Sequence, residues 1–325
     1  VVGYNRNSST VSNSYNTGTV TGSSEVGGVI GENGYSSTVS NSYNTGDVTS
    51  TYTGTYGYVG GVVGYNYSSS TVSNSYNMGS VIGSSSYVGG VVGYNEESTV
   101  KNSYNTGSVT GSSSRVGGVV GDNTNSTVSN SYNTGTVSGR GQTGGVVGYN
   151  SSSTVSNSYN TGSVSGSSQF LGGVVGYNSS STVSNSYNIG NVTSTYTGTY
   201  VYLGGVVGHN NSSSTVSNCY YGGNCASSVG GINGADVDGQ AEYLGTITTD
   251  AKTSSWYTST SGNWNSEYLW DFTYVWALDS SVNDGYPHFK EITVTYHSNF
   301  GNDIVITENN YASSVIIASN IFTRD

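Results

Sequence analysis

The sequence predicts an all-β protein: a parallel β-solenoid of about eight coils, closed by an aromatic-rich C-terminal cap and followed by a small β module. Three observations carry that prediction. Asn-Ser-Tyr, or a close variant, begins at Asn13, Asn41, Asn74, Asn102, Asn130, Asn157, Asn185 and Asn218, so a unit recurs at spacings of 28, 33, 28, 28, 27, 28 and 33 residues. Ser, Thr, Asn, Gly, Val and Tyr dominate the units, which favours strands and turns over helices. The apolar positions also keep a fixed parity through all eight copies, which a flexible Ser/Gly linker has no reason to do.

Each unit reads as three short strands. In TVSNSYN the Val (Val11, Val39, Val72, Val100, Val128, Val155, Val183, Val216), the Asn two residues later and the Tyr two after that are constant, while the position between Val and Asn becomes Lys101 in one copy. Alternate side chains of a strand point to opposite faces, so Val, Asn and Tyr are expected inside and Lys101 outside. In the second segment, Gly-x-Val, x varies through Thr19, Asp47, Ser80 and Asn191, so its Val points in. In the third, GGVVGYN, the first Val is expected to point in, because the second becomes Asn233 in the last copy. The same parity sends Tyr65, Tyr94, Tyr149 and Tyr177 outward, with Glu32, Asp122 and His209 at equivalent positions, and turns Asn33, Asn66, Asn95, Asn123, Asn150, Asn178 and Asn210 inward at a corner. A bulge at the glycines would invert it. Stacked at about 4.8 Å per coil, the valine columns supply a core that one unit lacks, and stacked Asn amides satisfy one another. The two long spacings carry the same insertion, TSTYTGTY, at Thr49 to Tyr56 and Thr193 to Tyr200, which points to block duplication.

Composition narrows the function classes. Charged residues are 8%, and seven Lys plus Arg cannot make the concentrated basic face that nucleic acid requires. No apolar run reaches membrane-spanning length, and the stretch from Val1 on, already inside a repeat, does not read as a signal peptide. His209, His288 and His297 are scattered, no His-Glu-x-x-His pair occurs, and GSVSG at Gly162 has Val where a nucleophile elbow has Ser. The acids of the coils (Glu25, Glu32, Asp47, Glu96, Glu97, Asp122) repeat at no single position, as a glycoside-cleaving groove would demand. The expectation is a non-enzymatic chain without a cofactor.

The pattern GGVVGYNSSSTVSNSYNTGSVSG resembles the GLUG motif, a repeat of secreted and wall-attached bacterial and archaeal proteins that include large adhesins and some immunoglobulin A proteases; the resemblance covers residues 1–234. WDFTYVWALDSSVNDGYPHF, Trp270 to Phe289, looks like the segment that commonly closes such an array, so residues 235–290 are expected to cap the open solenoid end with aromatics and a short helix at Thr248 to Tyr257. From Glu291 on, residues 291–325 resemble the start of a Listeria-Bacteroides (internalin B-type) repeat, and both ends read as cuts through a longer polypeptide. The resemblance implies an extracellular, cell-surface or cell-wall location and a structural or adhesive role as a stiff stalk or filament. Its partners would be a host or neighbouring-cell surface protein or glycan, or copies of the chain itself. Two alternatives stand beside it: the non-catalytic arm of a secreted hydrolase such as an immunoglobulin A protease, and an ice-binding solenoid using rows such as Thr154, Ser156 and Ser158.

Candidate ligand-binding residues are the outer aromatic column, Tyr65, Tyr94, Tyr149 and Tyr177, with Tyr52, Tyr56, Tyr58, Tyr196, Tyr200 and Tyr202 at the insertions. Cross-strand stacking that merely stabilises the rod would use the same residues. Cys219 and Cys225 are candidates for a small disulfide loop, with two free thiols as the alternative. Asp236, Asp238 and Glu242 are spaced like part of a calcium loop but lack its remaining ligands. Asn-x-Ser/Thr sequons cluster after GYN, where inward-facing Asn argues against glycosylation.

Overall fold

Runs of two to five residues are too short to stand as strands alone, and here each finds its partners one turn away. In the computed structural model Thr10–Ser12 pairs in parallel with Thr38–Ser40, which pairs with Thr71–Ser73, and the series continues to Thr215–Ser217. Five parallel sheets arise this way, named by their residues: GYN (eight strands, Val2–Arg6 to Val207–Asn210), TVS (eight), YN (Tyr15–Asn16 to Cys219–Tyr221, extended by Ala241–Tyr243 as ninth), VTG (seven) and xVG (seven). The chain is thus a β-solenoid of about seven turns, the eighth unit contributing GYN, TVS and YN strands among the described residues. The structure describes residues 2–222 except 55, 85, 86, 113, 114, 198–200 and 212, and then 241–243, 252, 254–258, 270–273, 275–290, 292–296 and 304–308.

One corner departs from the expected alternation. The Asn between Ser and Ser-Tyr (Asn13, Asn41, Asn74, Asn102, Asn130, Asn157, Asn185, Asn218) has φ of 47 to 51°, the left-handed region that Asn tolerates better than other side-chain-bearing residues. That residue ends the TVS strand and resets the parity of the next. The Tyr therefore turns outward, and the Asn after it (Asn44, Asn77, Asn105, Asn133, Asn160, Asn188) is fully buried. Ser158, expected in an outer row with Thr154 and Ser156, is buried for the same reason, and its hydroxyl donates to the Ser156 carbonyl at 2.8 Å.

A second difference concerns GGVVG. Both valines, Val62 and Val63 for example, are fully buried in one cluster with the Val of TVS, because the chain bends at Gly61 and Val62 and presents successive residues around the inside of a corner. A separate apolar column joins the valines of VTG and xVG, such as Val48, Val59, Val81 and Val88. Between the two columns runs a waist. A Cβ on Gly61 would collide with the carbonyl of Gly90 and the side chain of Asn77, and Gly90, Gly118 and Gly145 repeat those collisions one turn on. Only glycine permits that approach.

Buried amides run along the rod as two ladders. Asn33 Nδ2 donates to Asn66 Oδ1 at 2.7 Å and Asn66 to Asn95 at 2.7 Å; in the second ladder Asn44 donates to Asn77 at 2.7 Å and Asn77 to Asn105 at 2.8 Å. The other amide hydrogen is used too, as from Asn44 to the Gly46 carbonyl at 2.6 Å. Serines form two more: the Ser75 amide donates to Ser103 Oγ at 3.3 Å, and the Ser70 amide to Ser98 Oγ at 3.0 Å. Along the rod these groups meet their own copies one turn away, and the last rungs donate within their turn, Asn188 to the Gly190 carbonyl and Asn210 to the Ser214 carbonyl, which removes the cost of burying them.

Beyond the coils the helix is shorter than expected, Ser254–Thr258. Trp276–Ala277 pairs antiparallel with His288–Phe289, and Ile292–Tyr296 with Ile304–Glu308, giving the small β module. The aromatic segment lies along the flank of the rod, on the YN sheet. Trp270, Trp276, Tyr286 and Phe289 form a core with Tyr159, Tyr187, Tyr220 and Tyr257. What extends the open end of that sheet is the strand Ala241–Tyr243, pairing with Cys219–Tyr221.

Candidate functional site

Two aromatic surfaces follow from the strand pattern. The first is a strip of two adjoining rows. The outward positions of xVG read Glu25, Tyr58, Tyr87, Arg115, Gln142, Phe170 and Tyr202, each paired with the next. Those of GYN read Tyr4, Glu32, Tyr65, Tyr94, Asp122, Tyr149, Tyr177 and His209. The predicted column Tyr65, Tyr94, Tyr149 and Tyr177 is therefore real as geometry, half-buried and outward, and Tyr58 and Tyr202 stand beside it in the neighbouring row. Tyr56 and Tyr196 are exposed on the insertions and Tyr52 is half-buried; Tyr200 lies outside the described residues.

Rings in the strip lock together. Tyr65 stacks on Tyr94 with centroids 5.1 Å apart and planes within 2°, and Tyr58 stacks on Tyr87 at 5.3 Å. The two pairs meet at a tilt, Tyr58 lying 5.0 Å from Tyr65 and 5.1 Å from Tyr94. A second cluster joins Phe170, Tyr177, Tyr202 and His209, with Phe170 edge-on to Tyr177 at 5.3 Å. Between the clusters Asp122 is fully buried, paired with Arg115 and accepting from Thr124 Oγ1 at 2.7 Å. The Arg115 guanidinium lies over the rings of Tyr87, at 4.7 Å, and Tyr149, at 4.1 Å, so the charge pair continues the aromatic column.

Burial governs the ionisation of these groups. Tyr58 is pushed up to about 12 by burial, then by Tyr87 and the carboxylates of Glu25 and Glu96. Tyr65 and Tyr94 are raised further, chiefly by burial and beside Glu96, which accepts from the Tyr65 hydroxyl. Burial lowers His209, so it is held neutral to lower pH than an exposed imidazole. Ring faces are largely used in contact with each other, and the hydroxyls stay protonated, that of Tyr65 held by Glu96.

The second surface is one that sequence parity misassigned to the core. Tyr15, Tyr43, Tyr76, Tyr104, Tyr132, Tyr159, Tyr187 and Tyr220 form a continuous stack with centroids 4.8 to 5.2 Å apart and planes within 8°. Its upper rungs are covered: the Tyr187 hydroxyl donates to the Pro287 carbonyl, Tyr257 to the Tyr220 hydroxyl at 3.0 Å, and Trp270 Nε1 to the Asn218 carbonyl at 3.0 Å. Its lower rungs are open, Tyr15 being 59% exposed. The signal for this surface was in the sequence: an Asn fit for a left-handed corner stands between Val and Tyr in every copy.

Of the remaining candidates, only Cys219 and the backbone of Glu242 lie among the described residues. Cys219, expected to pair with Cys225, is a buried free thiol whose Sγ donates to the Ser217 carbonyl at 3.2 Å, and burial pushes it up to about 12. Cys225, Asp236 and Asp238 lie outside the described residues, as does the side chain of Glu242. Among the described residues no group of His, Cys, Asp and Glu could hold a metal, and no helix is long and apolar enough to cross a membrane.

Compared with known families, the chain matches the GLUG motif at residues 22–49, 84–110, 112–138 and 139–165. Each match spans one turn, opening at the end of a VTG strand and closing within the next. Residues 22–165 thus carry GLUG repeats, and the motif and the β-solenoid together fit a structural repeat protein. No curated protein and no solved structure matches the chain.

Proposed function

We propose that this chain is the stiff, non-catalytic repeat region of an extracellular surface protein, and that the two-row aromatic strip is its adhesive face. One observation carries the reading: Tyr58, Tyr65, Tyr87 and Tyr94 and then Phe170, Tyr177, Tyr202 and His209 set eight outward rings in two adjoining rows, where the ladder has a single row. Aromatic edges tipped with hydroxyls suit a glycan or a protein surface, each offering apolar patches among hydrogen-bonding groups. The insertions TSTYTGTY enter the strip at Tyr58 and Tyr202, one in each cluster. Beads coated with the chain, scored against a glycan panel and against cultured host cells, test the reading. Retention should drop about tenfold for the pair Tyr58→Ser and Tyr87→Ser; equal retention by parent and variant, with the fold intact, sinks it.

A further inference from the structure

We propose that the open rungs of the tyrosine ladder are the contact between two copies of this chain, packed ladder against ladder about a two-fold axis near Tyr76. The first support is continuity with an interface the chain already makes. Tyr159, Tyr187 and Tyr220 bury an apolar partner, the chain's own Trp270, Trp276 and Phe289. The same stack runs on unaltered through Tyr104, Tyr76, Tyr43 and Tyr15, where nothing among the described residues covers it.

The second support is a pair of substitutions. In the seven copies that read Tyr-Asn-x-Gly, x is Thr at 17, 45, 106, 134 and 161, and becomes apolar twice, at Met78 and Ile189. Ile189 packs against the cluster that the docked aromatic segment forms with the upper rungs. Met78, on the rung of Tyr76, is 54% exposed, as an apolar side chain awaiting an equivalent partner would be. Ile82 of the same turn is 45% exposed where the other turns carry Thr or Ser.

The repeat itself selects the occupant. A row of side chains at one constant spacing is met at every rung only by a row of the same spacing. A second copy supplies that row. A two-fold axis at Tyr76 sets Met78 against its counterpart and Tyr43 of one copy against Tyr104 of the other, a self-complementary contact of the kind closed dimers use. These rungs present no charge; Asp47 and Lys101 flank them in sequence. Because Trp270, Trp276 and Phe289 occupy the upper rungs, association stops at two.

Sedimentation velocity of the full chain from about 1 to 300 μM should show a reversible dimer and nothing larger. Met78→Lys should weaken it at least tenfold with unchanged circular dichroism and thermal midpoint, and Met78→Thr, which restores the usual residue, should weaken it less. Under mild oxidation Met78→Cys should give a covalent dimer, whereas Thr161→Cys, at the same unit position under the upper rungs, should not. A monomer at every concentration, a dimer indifferent to Met78→Lys, equal cross-linking by the two cysteine variants, or an open-ended fibre would each overturn the proposal. The contact stands apart from the adhesive strip, and loss of either leaves the other testable.

Discussion

The tyrosine ladder and the aromatic strip are built from the same residue on the same rod, yet they differ in what varies. In the ladder every unit from Tyr15 to Tyr220 keeps Tyr, and the rings lie within 8° of parallel. In the strip Tyr gives way to Glu32, Asp122 and His209 in one row, and to Glu25, Arg115, Gln142 and Phe170 in the other. A column in which each ring is held by the rings above and below admits no gap. A column whose neighbours in the adjoining row can fill in for it does, and that is where chemistry particular to each turn enters.

The largest expected effect breaks the ladder under the docked segment. Tyr187→Ala removes a fully buried ring and its hydrogen bond to Pro287, and should cost about 3 to 5 kcal/mol in denaturant unfolding, with a red shift in tryptophan fluorescence as Trp270 and Trp276 meet water. Next comes the charge pair of the strip. Arg115→Ala leaves Asp122 buried without its cation and should cost roughly 3 kcal/mol, whereas Arg115→Tyr with Asp122→Tyr, which returns both positions to the residue of the turns below, should be neutral or stabilising. Measuring single and double variants by the same unfolding assay separates burial of a charge from loss of a ring.

Alkaline pH probes both surfaces at once. Tyr104 of the ladder is pushed up to about 12 by burial and Tyr76, and Tyr58 of the strip to about 12 by burial and its neighbours. The unfolded chain gives up these protons near pH 10, the folded one only near pH 12. Between those values the native state holds protons that the unfolded state has lost, so stability is full below pH 10 and falls as pH rises through 12. Absorbance of tyrosinate should therefore lag behind that of the urea-unfolded chain over this window; coincident titration curves would contradict the burial. The smallest effect is Tyr94→Ala. It opens a half-buried position with rings left on three sides and should cost about 1 kcal/mol, near the worth of one stacked pair.

The periodicity, the parallel stack, the inward Asn of GYN and the outward column at Tyr65 were all legible from sequence, because each is a property of one strand repeated. What was not legible is how strands meet. Left-handed Asn157 reverses the parity of everything behind it, so Tyr159 and Ser158 were assigned to the wrong faces. Both valines of GGVVG face inward because a bend, invisible to a two-residue period, lies between them and the strand before. The flank docking of Trp270 and Phe289 uses that same misread tyrosine column, a surface the parity argument had placed inside. The partnership of Arg115 with Asp122 joins two different strands, and no pattern within either one announces it.

In the stacked sheets the backbone hydrogen bonds point from one turn to the next. A pull along the rod therefore loads them in series, and the weakest turn parts first while its neighbours stay wound. Each turn set free pays out a strand of about 28 residues, lengthening the tether by roughly 90 Å while dissipating work. Under tension such a shaft yields by measured unspooling, one coil at a time, and the load on whatever it holds stays capped near the strength of a single turn.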